Sequence, residues 1–148
     1  MRFIIVILIL LSAGCSTIGE PFSLAVPPKE DKALVYLFRD NISQGGASRS
    51  HFKIDGDPIM SIWNSGYTWV HLTEGIHTFE SSAINDTFTI PLVLEKGKTY
   101  YLGVNQDRYS YFVANVFKQY EEKEALEILK GCNYVVIPNK ANKPIKQD

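Results

Sequence analysis

From Ala33 to Phe117 the chain is cut, at intervals of about 8 to 12 residues, by clusters of Gly, Asn, Asp and Ser. Between those clusters lie short runs rich in β-branched and aromatic residues, which suit a pleated, half-buried surface. Such a cadence leaves no room for long helices and points to an all-β domain. The first run is Ala33–Phe38, followed by a polar loop over Asn41–Ser50 with Gly45-Gly46. Phe52–Ile54 meets Asp55-Gly56, a strong short hairpin signal, and returns through Ile59–Trp63. Further turns are expected at Asn64-Ser65-Gly66, Thr73-Glu74-Gly75, Asn85-Asp86, Glu95-Lys96-Gly97 and Gln106-Asp107-Arg108.

Alternation within the runs assigns faces. Phe88, Ile90, Leu92 and Leu94 share one side of their strand, opposite Thr87, Thr89 and Pro91. Pro91 lacks an N–H to give a ladder, which places that strand at an edge or bulge. In the next-but-one strand upstream, Thr68, Val70 and Leu72 lie opposite Tyr67, Trp69 and His71. One segment breaks the β pattern: Glu121–Lys130 holds strong helix formers, with Ala125, Ile128 and Leu129 at helical spacing and Gly131 after the last turn. Cys132–Ile137 is read as a closing strand. The expected fold is therefore mainly β, an antiparallel β-sandwich of immunoglobulin/transthyretin-like form with one C-terminal α-helix.

The N-terminus is of another kind. Met1-Arg2 is followed by nine uninterrupted apolar residues, Phe3–Leu11, which as helix span only about 14 Å against a hydrocarbon core of about 30 Å. That layout is a secretory signal rather than a transmembrane helix. Leu11-Ser12-Ala13-Gly14-Cys15 resembles the bacterial lipobox, in which the cysteine is acylated and becomes the first mature residue. Ser16, rather than an aspartate, follows the cysteine, so by resemblance to the sorting rule the expected site is the outer membrane, facing the periplasm. The chain then divides into a signal peptide (1–14), a lipidated N-terminus and tether (15–32), a β-sandwich domain (33–137) and a flexible tail (138–148). The membrane is a partner through lipidated Cys15.

Pro27-Pro28, the Ala33–Arg39 run, Ile54-Asp55-Gly56, Ser65-Gly66-Tyr67, Glu74-Gly75-Ile76-His77-Thr78-Phe79, Lys96–Tyr101 and Gly131-Cys132 follow one another in an order that resembles a bacterial family, the domain of unknown function 2846. The likeness runs over about residues 27 to 135, although Glu74 and Ile76 stand where the family usually has Pro and Lys. It implies a signal-bearing, often lipid-modified envelope protein and no particular activity.

Candidate chemistry is sparse. If Thr73-Glu74-Gly75 closes a hairpin, His71 and His77 face one another across strands, close enough for two imidazoles to share a metal, and Trp69 faces Phe79. No third ligand is placed by the sequence, and an aromatic cross-strand ladder accounts for the same residues. Trp63, Tyr67 and Trp69 form a candidate binding patch, since Tyr67 and Trp69 lie on the side of their strand opposite an already apolar one; such a platform suits a glycan or an envelope protein. Asp55-Gly56-Asp57 is explained by turn chemistry. Cys132 is expected to be a buried, inert thiol. With 15 basic and 16 acidic residues the chain lacks the basic surface that nucleic acid selects. No Gly-x-Ser-x-Gly, Walker, Cys-x-x-Cys or His-Glu-x-x-His motif is present, and no cofactor is implied. The expectation is a non-catalytic binding or scaffolding lipoprotein; the rival is a small periplasmic hydrolase acting on envelope glycans or peptides.

Overall fold

A computed structural model describes residues 17–24, 27, 28, 30–42, 48–83, 86–107 and 114–137. The signal segment, Cys15 and the tail over 138–148 lie outside the described residues. Among the described residues nine strands and one helix follow in order: β1 (Lys32–Arg39), β2 (Ser50–Ile54), β3 (Asp57–Ile62), β4 (Gly66–Thr73), β5 (Gly75–Ala83), β6 (Asp86–Leu94), β7 (Thr99–Asp107), β8 (Ala114–Tyr120), α1 (Glu122–Leu129) and β9 (Asn133–Tyr134). They form a five-stranded sheet, β8-β7-β1-β4-β9, and a four-stranded sheet, β3-β2-β5-β6. This is the β-sandwich with one C-terminal helix that the turn cadence predicts. Among the described residues no helix is long and apolar enough to cross a membrane.

The inter-sheet core follows the two-residue period of the strands. Ala33, Val35 and Leu37 of β1 pack on Phe52, Ile54, Ile62 and Phe79 of the other sheet, closed by Leu94, Leu102 and Val104. Phe88, Ile90 and Leu92 point into the same core while Thr87, Thr89, Pro91 and Val93 are exposed. β6 is an edge strand, so the missing Pro91 N–H costs no ladder bond. Asp55 and Gly56 both have positive φ, 53° and 82°, and turn β2 into β3 in the way a two-residue hairpin requires.

The other face of the five-stranded sheet is covered as well. Leu34, Tyr36 and Phe38 of β1, with Tyr67, Tyr101 and Tyr120, form a second core beneath Ala125 and Leu129 of α1. Tyr36 stacks on Tyr101 at 5.2 Å, and Phe38 meets Tyr120 at 5.2 Å. Burial on both faces is why β1 is apolar without interruption, and it accompanies a departure from purely antiparallel pairing: β1 runs parallel to β7, and β4 parallel to β9. The closing strand expected over 132–137 shrinks to Asn133–Tyr134.

One expectation is overturned. Thr73-Glu74-Gly75 does not close a hairpin; it carries the chain from one sheet to the other, with Gly75 at φ 130°. β4 pairs with β1 and β9, and β5 with β2 and β6. Part of the segment after Cys15 is described as well. Residues 17–24 lie against the domain as a strap: Thr17 is buried, its N–H donates to Asn64 O at 2.9 Å and its hydroxyl to Trp63 O at 3.1 Å. The Tyr134 N–H donates to Glu20 O, Pro21 bridges Asn133, and Phe22 packs edge-on against Tyr67 at 5.2 Å. Gly19 and Gly66 permit that approach. A Cβ on Gly19 would meet Tyr134 O at 2.1 Å, and one on Gly66 would meet the Ile62 and Thr17 side chains at 2.4 and 2.5 Å.

Candidate functional site

Because β4 and β5 belong to different sheets, the histidine pair does not form. His71 pairs in register with Leu34, and His77 with Leu92. The ring of His71 lies 5.2 Å from Trp69 in a T-shaped contact. Both nitrogens of His77 face oxygen acceptors instead: Nδ1 is 2.7 Å from Asp55 Oδ2, and Nε2 is 3.0 Å from Thr73 O. Asp55 also accepts the Thr78 N–H at 2.8 Å. That backbone bond first, then His77, holds the Asp55 carboxyl below the usual carboxylate range. The cluster clamps the β2–β3 turn onto the start of β5. Among the described residues no group of three or more His, Cys, Asp or Glu side chains is arranged to hold a metal ion.

The candidate aromatic patch is divided in the same way. Tyr67 is 1% exposed, enclosed by Phe22, Tyr36 and Tyr134, and its oxygen accepts the Ser23 N–H at 3.1 Å. It offers no platform: the side of β4 that looked free is the floor of the second core. Trp63, half-buried, lies in the link between β3 and β4, with the Arg49 guanidinium 4.6 Å from its ring centroid. Trp69, also half-buried, packs against the second core and lines a cavity.

That cavity, of about 470 Å³, lies at the edge of β4 where the strand has run past the end of β9, and takes in side chains from both faces of that strand. Its walls are Ile54 and Ile59 from one sheet and Val70 and Leu72 from the other, with Trp69, Tyr134 and Ile137 beside them. Asp55, Asp57 and His71 supply its polar groups. Its size and its mostly apolar walls with a few polar groups match those of small-ligand sites. Sequence reasoning missed it, because the cavity is created by long-range pairing; the one local signal was the apolar content on both faces of β4, which marks a strand covered on both sides.

Cys132 behaves as expected. It is 2% exposed beneath α1, its Sγ 3.5 Å from Ile128 O, and burial, aided by Asp40, pushes its thiol up to about 12. A thiol so held is neither nucleophile nor metal ligand at neutral pH. No family model matches the chain, and no match to a curated protein reaches significance.

Proposed function

We propose that the protein is a lipid-anchored, non-catalytic binding module of the bacterial cell envelope, held at the outer membrane through Cys15, and that it takes its ligand in the cavity at the β4 edge that Trp69 helps to line. The observation carrying this reading is the cavity itself: apolar walls from both sheets, with Trp69 from the other face of β4 and two carboxylates among its lining. An extended segment of an envelope protein or a glycan fits that chemistry, the apolar side chain or sugar face lying on Trp69 and the polar groups meeting Asp55 and Asp57. The lipobox-like segment and the resemblance to the domain of unknown function 2846 family support the envelope placement. The rival, a small hydrolase, has less to stand on: Asp55 is held ionised by its hydrogen bonds and so is poorly suited to act as a general acid at neutral pH.

The test is a titration of isotope-labelled protein with peptidoglycan fragments and with extended peptides, followed by NMR. The two tryptophans give separate indole signals. Binding is expected to move the Trp69 indole and the Ile59 and Leu72 methyls while leaving Trp63 in place, and Trp69→Ala is expected to abolish it. Binding that maps elsewhere, or that survives Trp69→Ala, contradicts the reading, as does turnover of either ligand.

A further inference from the structure

The strap has a geometric consequence for the membrane. Thr17 is fixed to the domain by three hydrogen bonds: its N–H to Asn64 O, its hydroxyl to Trp63 O, and the Asn133 side-chain amide to its own carbonyl at 2.8 Å. One residue, Ser16, separates Thr17 from Cys15. Two residue steps span at most about 7 Å, so the Cys15 Cα stays within about that distance of the Thr17 Cα. A lipid on Cys15 therefore has no tether to lift the domain away.

The surface at that end has the composition of an interfacial contact. Ile18 is 98% exposed, the most exposed large apolar side chain among the described residues. Trp63 sits one residue from the Asn64 carbonyl that holds Thr17, with exposed Arg49 over its ring. Indole rings favour the headgroup region, and a guanidinium pairs with phosphodiester oxygens. The end is also stiffly built. The Arg39 guanidinium, wholly buried, donates to Ser48 O and to Ile62 O, while the Asn64 side-chain amide donates to Ile42 O at 2.7 Å. These bonds tie the flanks of the β1–β2 connection to the β3–β4 link.

We infer that Ile18, Trp63 and Arg49 form a membrane-contact surface for phospholipid headgroups, and that the docked strap seats this end of the sandwich on the bilayer. The inference rests on the reading of Cys15 as lipidated. Trp69 lies three residues along β4 from Gly66, about 10 Å further from the anchor at the rise of a strand. The ligand cavity thus stands clear of the lipid surface and open to the periplasm.

The experiment uses the full chain, processed in bacteria, purified in detergent and reconstituted in phosphatidylethanolamine/phosphatidylglycerol vesicles carrying a nitroxide on the headgroup. Trp69→Phe leaves Trp63 as the only indole, and Trp63→Phe leaves Trp69, each excited selectively over the tyrosines. Trp63 is expected to lose most of its emission, and Trp69 little. A flexible Gly/Ser segment inserted between Ser16 and Thr17 is expected to keep the protein on the vesicles while relieving the quenching, which also serves if Trp69→Phe fails to fold. Vesicle-bound protein in which Trp63 is quenched no more than Trp69, or in which the insertion changes nothing, overturns the inference and leaves the anchor standing. Protein with Cys15 intact that stays off the vesicles overturns the anchor reading itself.

Discussion

Replacing Phe22 by alanine separates a docked strap from a free tether. Phe22 is half-buried, its ring 5.2 Å from Tyr67 and 6.3 Å from Tyr36. Truncating a fully buried Phe costs about 3–5 kcal/mol; with half the ring exposed the loss is about 2 kcal/mol. None of it is recovered elsewhere in the strap, whose other attachments are hydrogen bonds worth about 1 kcal/mol each. At tenfold per 1.4 kcal/mol, the docked-to-undocked ratio falls by about 30-fold. Two adjacent amides read this directly. The Tyr134 N–H donates to Glu20 O in the strap, and the Val135 N–H donates to Tyr67 O within the domain. In native-state hydrogen exchange, Phe22→Ala is expected to cut protection at Tyr134 by about that factor while leaving Val135 nearly unchanged. Equal effects at the two amides would mean the strap does not open as a local unit. A Tyr134 amide already unprotected in the wild type, or indifferent to the substitution, would falsify the docking.

Further outcomes follow from the two cores. Gly66→Ala drives a Cβ into Ile62 and the Thr17 side chain and is expected to cost about 1–3 kcal/mol in urea titration; neutrality would mean that Thr17 is not seated there. Leu129→Ala removes a fully buried side chain of α1 and is expected to cost about 2–5 kcal/mol by the same assay, whereas a cost near zero would detach the helix from the sheet. Cys132 is expected to resist a small maleimide in native protein and to react once unfolded. Its folded pKa is raised, so the native state keeps a proton that the unfolded state releases near about 8.5, and stability falls as pH rises from there toward 12. The slope from this group is about 1.4 kcal/mol per pH unit, and Cys132→Ala removes it. Tyr120, raised to about 12 mainly by burial, adds loss of the same sign above the ordinary tyrosine range.

What could be read from the chain was whatever is local. Asp55-Gly56 demands positive φ at both turn positions, and the alternation from Phe88 to Leu94 declares its own buried side. Ala125 and Leu129 mark the helix face, and both are fully buried. Sheet membership was not local. A glycine after an acidic residue serves equally to reverse a strand within one sheet or to send it across to the other, so Gly75 looked like a hairpin and is a crossing. The histidine pair fell with it. The unbroken apolar run of β1 did carry a signal of burial on both faces, which accounts for Tyr36, Tyr67 and Tyr101 as core rather than surface. The strap left no periodic trace, because it is held by scattered main-chain and side-chain hydrogen bonds, two glycines that admit close approach and a single aromatic ring.

The claim that organises the rest is that Cys15 is the acylated first residue of the mature protein. Intact-mass measurement of the chain extracted from bacterial membranes tests it most directly. The predicted result is a chain lacking residues 1–14, heavier than its polypeptide by a diacylglyceryl group and an N-linked acyl chain, with that excess confined to the peptide containing Cys15. A chain cleaved elsewhere, or one beginning at Cys15 with an unmodified thiol, contradicts it.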